Sequence, residues 1–324
     1  MHEGGEATAE VFHSLLHLVF HEVELKAPRF MHSAVGDRNE GVILIGGITV
    51  EEGSLKLIDN ERERPPSMER VSMHGAEAAG IGALAPRRGH AALRLGDRVI
   101  VVGGNSVMTG EQGLFAEVHH LRSQESSALG PAESAGARQR GYAPKWHSLT
   151  SIGLDKLLAL GGYYESSFIG PDLREAPALS PLSAGLLLNT RKPGVPGELI
   201  RMLMPRAAHT ATVLEDGRVL VGGGLTRTET LRVTGSMEIV SPLQLTSEAL
   251  LDRLGSPVYL AGPRFGHAAT RLQDGTVLRS GGLTTIDSDR MDGDSPCSTI
   301  ACELFVYNPS VCNLSPPVDP SFLQ

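Results

Sequence analysis

Short runs in which apolar and polar residues alternate recur along the whole chain. Residues 209–214 (HTATVL) and 267–272 (HAATRL) alternate in this way, as expected of strands that bury one face. Residues 98–102 (RVIVV), 156–160 (KLLAL) and 218–221 (RVLV) are short apolar runs, which are typical of strands covered on both faces. The pattern therefore predicts pairs of neighbouring β-strands.

Each predicted pair is joined by a tight turn and followed by two glycines. Asp-Gly at 216–217 and 274–275 supplies the positive φ that a tight hairpin needs. The glycine pairs stand at 46–47, 103–104, 161–162, 223–224 and 281–282, each 13 or 14 residues after a histidine. A glycine pair at the end of a buried strand indicates positive φ or a close backbone approach.

The same phrase occurs five times. Its histidines are His32, His90, His147, His209 and His267, with separations of 58, 57, 62 and 58 residues, and the repeats start near 27, 85, 143, 204 and 262. A period of this size is closest to that of a propeller blade. Third strands are predicted at 54–59, 115–121, 184–189, 236–242 and 302–309, and the best fourth strands at 197–203 and 257–262. Four antiparallel strands per repeat predict a radial β array.

These repeats resemble Kelch repeats, and the fourth (MPRAAHTATVLEDGRVLVGGG) and fifth (GPRFGHAATRLQDGTVLRSGG) resemble the bacterial variety. The resemblance covers residues 27–324 and implies an all-β Kelch propeller with five recognisable four-stranded blades. Only Tyr307 matches the usual third-strand tyrosine, and the aromatic residue typical before the fourth strand is mostly missing. The motif is specific for a fold and unspecific for a function.

Residues 1–26 look like the end of a blade, because Gly4-Gly5 precedes AEVF and residues 17–29 (HLVFHEVELKAPR) lead into the first repeat. Two interpretations follow. These strands pack against the fifth blade and close a five-bladed ring, which we favour, or they are an incomplete sixth blade of a longer protein.

Composition narrows the classes of function. The 324 residues carry a net charge of −8, which argues against general nucleic-acid binding. No run of about 18 apolar residues and no signal peptide are found. We expect a monomer or part of a larger chain, cytoplasmic if complete and exported if a fragment. The three cysteines all lie after residue 296, and a Cys297–Cys302 disulfide is left open because the compartment is unknown.

We expect no cofactor and no transition metal. Five histidines at equivalent positions lie one per blade and cannot converge as tetrahedral ligands, so a structural hydrogen bond is favoured for them. The segment 284–296 resembles a calcium loop with irregular spacing. Its candidate ligands are Asp287, Asp289, Asp292 and Asp294, and the alternative is a solvated acidic loop.

A cation follows the proline of every repeat. These residues are Arg29, Arg87, Lys145, Arg206 and Arg264. In Kelch propellers of ubiquitin-ligase adaptors, arginines at this place line the channel mouth and bind acidic peptides, so the resemblance implies a cation ring on one face. The alternative is that each arginine pairs with an acid of a neighbouring blade. Arg279, at an apolar position of the repeat, needs a partner such as an aspartate of the 287–294 loop, or a place at the channel.

The long segments 163–183 and 283–301 share a face with the cations in a four-stranded meander. Tyr163, Tyr164 and Trp146 add aromatic anchors, although core packing is an equal alternative for Trp146. We therefore expect a non-enzymatic binding or scaffold module for a protein or peptide, including acidic ones. The alternatives are a Kelch-type oxidase or carbohydrate-active enzyme, whose copper constellation this sequence does not match, and a structural segment of an exported cell-surface protein.

Overall fold

The computed structural model describes residues 8–13, 18–26, 28–37, 41–51, 54–57, 67–72, 74–78, 86–104, 116–129, 144–165, 179–192, 195, 197–227, 230–285, 305–308 and 313–314. In this part of the chain every regular element is a β-strand, and no helix has the length and hydropathy needed to cross a membrane. The chain divides into two compact units, one of residues 1–145 and 191–196 and one of residues 146–190 and 197–324.

The first unit contains the N-terminal strands and repeats one and two. Its strands are β1 (Thr8–His13), β2 (Leu18–Glu24), β3 (Ser33–Gly36), β4 (Val42–Ile45), β5 (Ile48–Glu51), β6 (Ser54–Leu57), β7 (Met68–Ser72), β8 (Gly75–Ala78), β9 (Ala91–Leu95), β10 (Arg98–Val102), β11 (Ala116–His120) and β12 (Glu125–Ala128). Each repeat forms a four-stranded antiparallel meander, in the orders β3-β4-β7-β8 and β9-β10-β11-β12. The pairs β1–β2 and β5–β6 are separate two-stranded sheets.

The second unit contains repeats three, four and five. Its strands are β13 (Ser148–Ser151), β14 (Lys156–Leu160), β15 (Tyr163–Glu165), β16 (Leu179–Asn189), β17 (Glu198–Arg206), β18 (Thr210–Val213), β19 (Val219–Gly222), β20 (Leu225–Arg227), β21 (Leu231–Val233), β22 (Met237–Ser241), β23 (Thr246–Ala249), β24 (Ala268–Arg271), β25 (Val277–Ser280), β26 (Phe305–Asn308) and β27 (Asn313–Leu314). The meanders are β13-β14-β16-β17, β18-β19-β22-β23 and β24-β25-β26-β27. At one end, β15 also pairs with β16, and β20 pairs with β21.

The core of each unit lies between the faces of successive sheets. In the first unit the faces of repeats one and two meet in one cluster, formed by Val35, Ile43, Ile45, Met68, Val99 and Val101. In the second unit one cluster joins repeats three and four, and another joins repeats four and five. Because the second strands are covered on both faces, they are continuous apolar runs, as the sequence predicts.

The predicted Asp-Gly hairpins are confirmed. In repeat four, Leu214 N–H donates to Arg218 O at 2.8 Å, and Gly217 between them has φ of 82°. A non-glycine residue at that φ is strained. The turn therefore sets the register of β18 against β19, in which Val213 faces Val219.

Two strand predictions are wrong. The third strand of repeat one is β7, while residues 54–57 of the predicted strand form β6 and pair with β5. The fourth strand of repeat four is β23, while residues 257–262 make only isolated bridges. Residues 54–57 alternate between polar and apolar side chains, and residues 257–262 include buried Val258 and Leu260. Such a pattern does not show which strand a segment pairs with. The predicted fourth strand at 197–203 is confirmed as part of β17.

The long connections differ from the prediction as a consequence. In repeat one the segment 46–67 joins the second and third strands and contains the hairpin of β5 and β6. In repeat three, β15 and β16 occupy both ends of the predicted 163–183 segment. Of the predicted 283–301 segment, the structure describes residues 283–285.

Candidate functional site

Buried ion pairs join the arginine that follows the repeat proline to a glutamate on the third strand. The three pairs are Arg29–Glu69 at 2.6 Å, Arg87–Glu117 at 2.8 Å and Arg206–Glu238 at 2.7 Å. Both side chains of every pair are at most 4% exposed. Burial lowers the pKa of these arginines, and the nearby carboxylate offsets part of that effect.

These three guanidinium groups and that of Arg264 contact the glycine pairs. Nη1 donates to the carbonyl of the first glycine in four repeats, at Gly46, Gly103, Gly223 and Gly281, with distances between 2.7 and 3.2 Å. That carbonyl follows the last residue of the second strand, so the arginine satisfies an acceptor at the strand end. The conformational prediction for the glycines is confirmed, since both members of each pair have positive φ.

The glutamates were missed by the sequence reasoning. Each stands across from the second strand of its own repeat, and the facing pairs are Leu44–Glu69, Val101–Glu117 and Val221–Glu238. The signal is a small motif at the start of the third strand, written MER, AEV and MEI. For Arg29 and Arg87 the suggested partner, an acid of a neighbouring blade, is therefore wrong, because the glutamate lies on the third strand of the arginine's own repeat. Arg206 ends β17 of repeat three and pairs with Glu238 on the next sheet.

Lys145 does not occupy the arginine position. In other repeats the arginine carbonyl accepts a hydrogen bond from the second glycine of the preceding repeat, as in Gly47–Arg87 and Gly224–Arg264. In repeat three Pro144 accepts this bond from Gly104, at 3.1 Å. The predicted equivalence of Lys145 with the arginines is wrong, because the stretch before His147 is one residue shorter than in the other repeats.

Repeat three also has no glutamate at the corresponding third-strand position. Leu186 faces Ala159 there, as Glu238 faces Val221 in repeat four. Arginine and glutamate are thus replaced together, by proline and leucine. Repeat three lacks both members of the pair, whereas repeat five keeps Arg264 with Phe305 at the glutamate position.

Arg279 is held inside the second unit. Its side chain is 1% exposed, and Nη1 lies 3.2 Å from Met237 Sδ. The guanidinium occupies the space where a side chain at position 222 would lie, and this position is Gly222. The other repeats have Ile45, Val102, Leu160 and Ser280 at the position equivalent to Gly222. Burial, followed by the charges of Arg206 and Arg264, lowers the pKa of Arg279 to about 9. The aspartate loop suggested as its partner lies outside the described residues.

Burial also bears on the predicted cation ring. Backbone included, the exposed fractions of Arg29, Arg87, Arg206 and Arg264 are 8%, 4%, 1% and 3%. Their charge-assisted contacts go to groups of the protein itself. These contacts favour an architectural interpretation, and a ligand-binding role for the four arginines stays a prediction.

The repeat histidines make the kind of structural contact that the sequence suggested. His209 Nε2 lies 3.0 Å from Ser148 Oγ, and His267 Nε2 lies 3.0 Å from Thr210 Oγ1. In each case a hydroxyl directly after one repeat histidine reaches the histidine of the next repeat. Burial, followed by the charge of Arg279, lowers the pKa of His267 to about 3. A histidine with that pKa is neutral at pH 7, which suits a buried link between strands.

Each histidine follows a residue in the left-handed conformation. These residues are Met31, Gly89, Trp146, Ala208 and Gly266, with φ between 52° and 65°. Backbone bonds join them from repeat to repeat, since Ala208 N–H donates to Trp146 O and Gly266 N–H donates to Ala208 O, both at 2.8 Å. The repeated bond explains why non-glycine residues tolerate this conformation here.

We expect Ala208→Gly to stabilise the protein. Alanine costs about 1–2 kcal/mol in the left-handed region, whereas glycine adds about 0.5–1 kcal/mol of chain entropy. The free energy of unfolding should therefore rise by about 0.5 kcal/mol in urea titrations. Ala211→Gly on β18, where no positive φ occurs, is the control and should lower stability. A loss for Ala208→Gly equal to that control would contradict the strain argument.

The described residues hold no group of three metal-ligating side chains. The calcium candidates Asp287, Asp289, Asp292 and Asp294, and the Cys297–Cys302 pair, lie outside the described residues. The calcium and disulfide hypotheses therefore stay predictions.

Two aromatic residues of repeat three are brought together. Trp146 is 39% exposed, Tyr163 is 7% exposed, and their rings meet edge to face with centroids 5.0 Å apart. Trp146 precedes β13, and Tyr163 begins β15 directly after the glycine pair. Tyr164 is the next residue of β15, across from Ser180. Tyr163 is buried, whereas Trp146, for which core packing was the alternative, is partly exposed. A binding role for these aromatic residues stays a prediction.

Comparison with known proteins places the fold. No protein-family model matches the chain, and no curated protein matches it. The solved structure titled "Structure of YjhT", a Kelch-type β-propeller, aligns with a TM-score of 0.62 at 12% identity, over 91% of this chain and 87% of that one. Together with the four-stranded antiparallel meanders, this likeness shows that the chain is an all-β protein of the β-propeller class.

Proposed function

We propose that this chain is a Kelch-type β-propeller that serves as a non-enzymatic binding module for a protein or peptide, with Trp146 as its anchor. The five copies of the Pro-Arg, histidine and glycine-pair motif support the Kelch assignment. The observation that carries the binding function is the partly exposed Trp146 side chain, whose ring makes an edge-to-face contact with buried Tyr163.

The backbone and the ring of Trp146 are both fixed by contacts within the protein. Its carbonyl accepts a hydrogen bond from Ala208, and its ring rests against Tyr163 at one end of the sheet. An aromatic side chain fixed before binding loses little conformational entropy when a partner covers it. Tryptophan and tyrosine are also enriched among the residues that contribute most to protein interfaces.

The surroundings of Trp146 suit a binding surface on a rigid scaffold. In repeat three, β15 extends the sheet beyond the glycine pair, and in repeat four the hairpin of β20 and β21 stands at the equivalent place. Loops and extensions at such ends carry binding residues while the packed strands hold them still. A protein or peptide, rather than a small molecule, matches a surface of this kind.

The sole tryptophan of the sequence gives a direct test. Peptides selected from a displayed library against the full chain should change the emission of Trp146 in a saturable way. Trp146→Ala should weaken labelled peptides, measured by fluorescence anisotropy, at least about tenfold without lowering Tm. Tyr259→Ala, at an aromatic residue that is 57% exposed, is the matched control and should leave affinity unchanged. A selection without any peptide that depends on Trp146 would contradict the proposal.

A further inference from the structure

The fourth strand of repeat three, β17, is longer and more apolar than the fourth strands of its neighbours. It has 9 residues (ELIRMLMPR), whereas β8 (GAEA), β12 (ESSA) and β23 (TSEA) have 4 residues each. Short and polar fourth strands protect the edge of a sheet against pairing with another chain. The strand β17 lacks this protection.

One edge of β17 is open in the described part of the chain. There β17 pairs with β16 alone, with Leu199 across from Leu186 and Arg201 across from Ala184. Near the end of the strand, Leu203 N–H donates to Glu238 of repeat four at 2.7 Å. Up to that point the outer edge presents alternate backbone N–H and C=O groups, with which an added strand can pair.

The side chains of β17 alternate between a buried and an exposed face. Ile200 and Met202 are buried in a cluster that includes residues of repeat four. Leu199 and Leu203 are 52% and 61% exposed, and Arg201 between them is exposed as well. Because alternate residues of a strand share a face, these three side chains form an apolar, cationic and apolar row. Packing against repeat four explains the buried face and leaves this row without a function.

The apolar side chains on this face continue across the sheet. Ala159 on β14 faces Leu186 on β16, and Leu186 faces Leu199 on β17. Ala159 is buried, Leu186 is half-buried and Leu199 is exposed. Facing apolar side chains stabilise neighbouring strands. A further strand with an apolar residue beside Leu199 would therefore cover the last member of this series.

The charge of Arg201 determines which strand fits. Its side chain has no ion-pair or hydrogen-bond partner among the described residues, so an acidic residue of an added strand can pair with it. A second copy of β17 does not fit, because the antiparallel register that sets Leu199 against Leu203 also sets Arg201 against Arg201. Like charges directly opposite one another are destabilising. A register shifted by two residues sets leucine against arginine.

We infer that the open edge of β17, at residues 198–203, binds an extended segment of another protein by strand addition. The segment carries an acidic residue beside Arg201, and apolar residues two positions before and after it lie beside Leu199 and Leu203. Backbone hydrogen bonds provide affinity, and the row of side chains selects the sequence. The inference goes beyond the proposed function, because this second surface uses neither Trp146 nor Tyr163.

Selection of short random peptides from a displayed library against the full chain tests the inference. Peptides with the apolar–x–acidic–x–apolar pattern should be enriched and should bind saturably in fluorescence anisotropy. Arg201→Glu should weaken them at least about tenfold, and lysine in place of the peptide's acidic residue should restore binding to that variant. Leu199→Thr/Leu203→Thr should weaken them at least about tenfold as well.

Two control variants separate this surface from others. Arg271→Glu makes the same charge reversal at an exposed arginine on β24 and should leave the affinity of these peptides unchanged. Trp146→Ala should leave it unchanged too, so that failure at this surface is distinguishable from failure of the proposed function. Circular dichroism and Tm of each variant confirm that it is folded.

Methylation of the peptide backbone tests strand addition itself. Methyl groups on the amide nitrogens of alternate residues should abolish binding when they lie on the edge that pairs with β17, and should be tolerated on the other edge. A selection that yields no peptide dependent on Arg201, or equal tolerance of methylation on both edges, would overturn the inference. Dimerisation of the full chain in sedimentation equilibrium, lost in Leu203→Thr, would overturn it too, since a second copy would then occupy the edge.

Discussion

Glu238→Gln should lower the free energy of unfolding by about 3–5 kcal/mol, because it leaves the charge of Arg206 buried and uncompensated. The carboxylate accepts from Arg206 Nη2 at 2.7 Å, from Leu203 N–H at 2.7 Å and from Ser247 Oγ at 2.5 Å. A glutamine amide offers one acceptor oxygen and two donors, so it cannot replace all three contacts. Urea titrations followed by far-UV circular dichroism would measure the loss.

Two controls separate the buried charge from the change of side chain. Glu248→Gln makes the same change at an exposed position and should alter stability by less than about 0.5 kcal/mol. The double variant Arg206→Met/Glu238→Leu removes both charges and should be more stable than Glu238→Gln. Repeat three, with Pro144 and Leu186, is a natural example of joint replacement. A double variant that loses as much as the sum of its single changes would contradict the pairing argument.

The second large effect concerns the glycine pair of repeat four. Gly223→Ala/Gly224→Ala should lower the free energy of unfolding by about 2 kcal/mol or more, since alanine at positive φ costs on the order of 1 kcal/mol at each position. The φ values are 68° and 104°. A Cβ on Gly223 would lie 2.6 Å from Arg264 O, and one on Gly224 would lie 2.7 Å from Ala207 O. Close contact with backbone therefore adds to the strain.

Gly217 separates these two causes. Its φ is 82°, and a Cβ there would meet no atom within 4 Å. Gly217→Ala should thus show the conformational cost alone, about 1 kcal/mol, and the Gly223 and Gly224 single variants should each exceed it. If thermal unfolding showed the same loss of stability for all three variants, close contact between the added Cβ and backbone oxygens at Gly223 and Gly224 would not contribute to the loss.

Much of the local structure follows from the sequence because its causes are local. Alternation and short apolar runs predict strands, and the Asp-Gly turn at Gly217 fixes a hairpin within a few residues. The glycine pairs are predicted correctly for the same reason, since a demand for positive φ acts on one residue at a time. The histidines as structural links also follow from their even spacing.

Partners distant in the chain are harder to predict. Alternation identifies residues 54–57 as a strand but does not choose between β5 and β4 as its neighbour, so the third strand of repeat one was misplaced. Arg29 and Glu69 stand in different segments, and no local pattern joins them. The sequence shows one residue fewer before His147, but the backbone bond between Gly104 and Pro144 is needed to show that Pro144, and not Lys145, takes the arginine position.

For the candidate site, the sequence by itself determined which residues recur and therefore which positions each repeat offers. Tertiary structure decided which of them are accessible. Arg206 is buried in an ion pair with Glu238. Trp146, which itself has the left-handed conformation, is partly exposed and contacts the ring of Tyr163. The reason is that burial depends on what packs against a side chain from other strands, and that information is not contained in any short stretch of sequence.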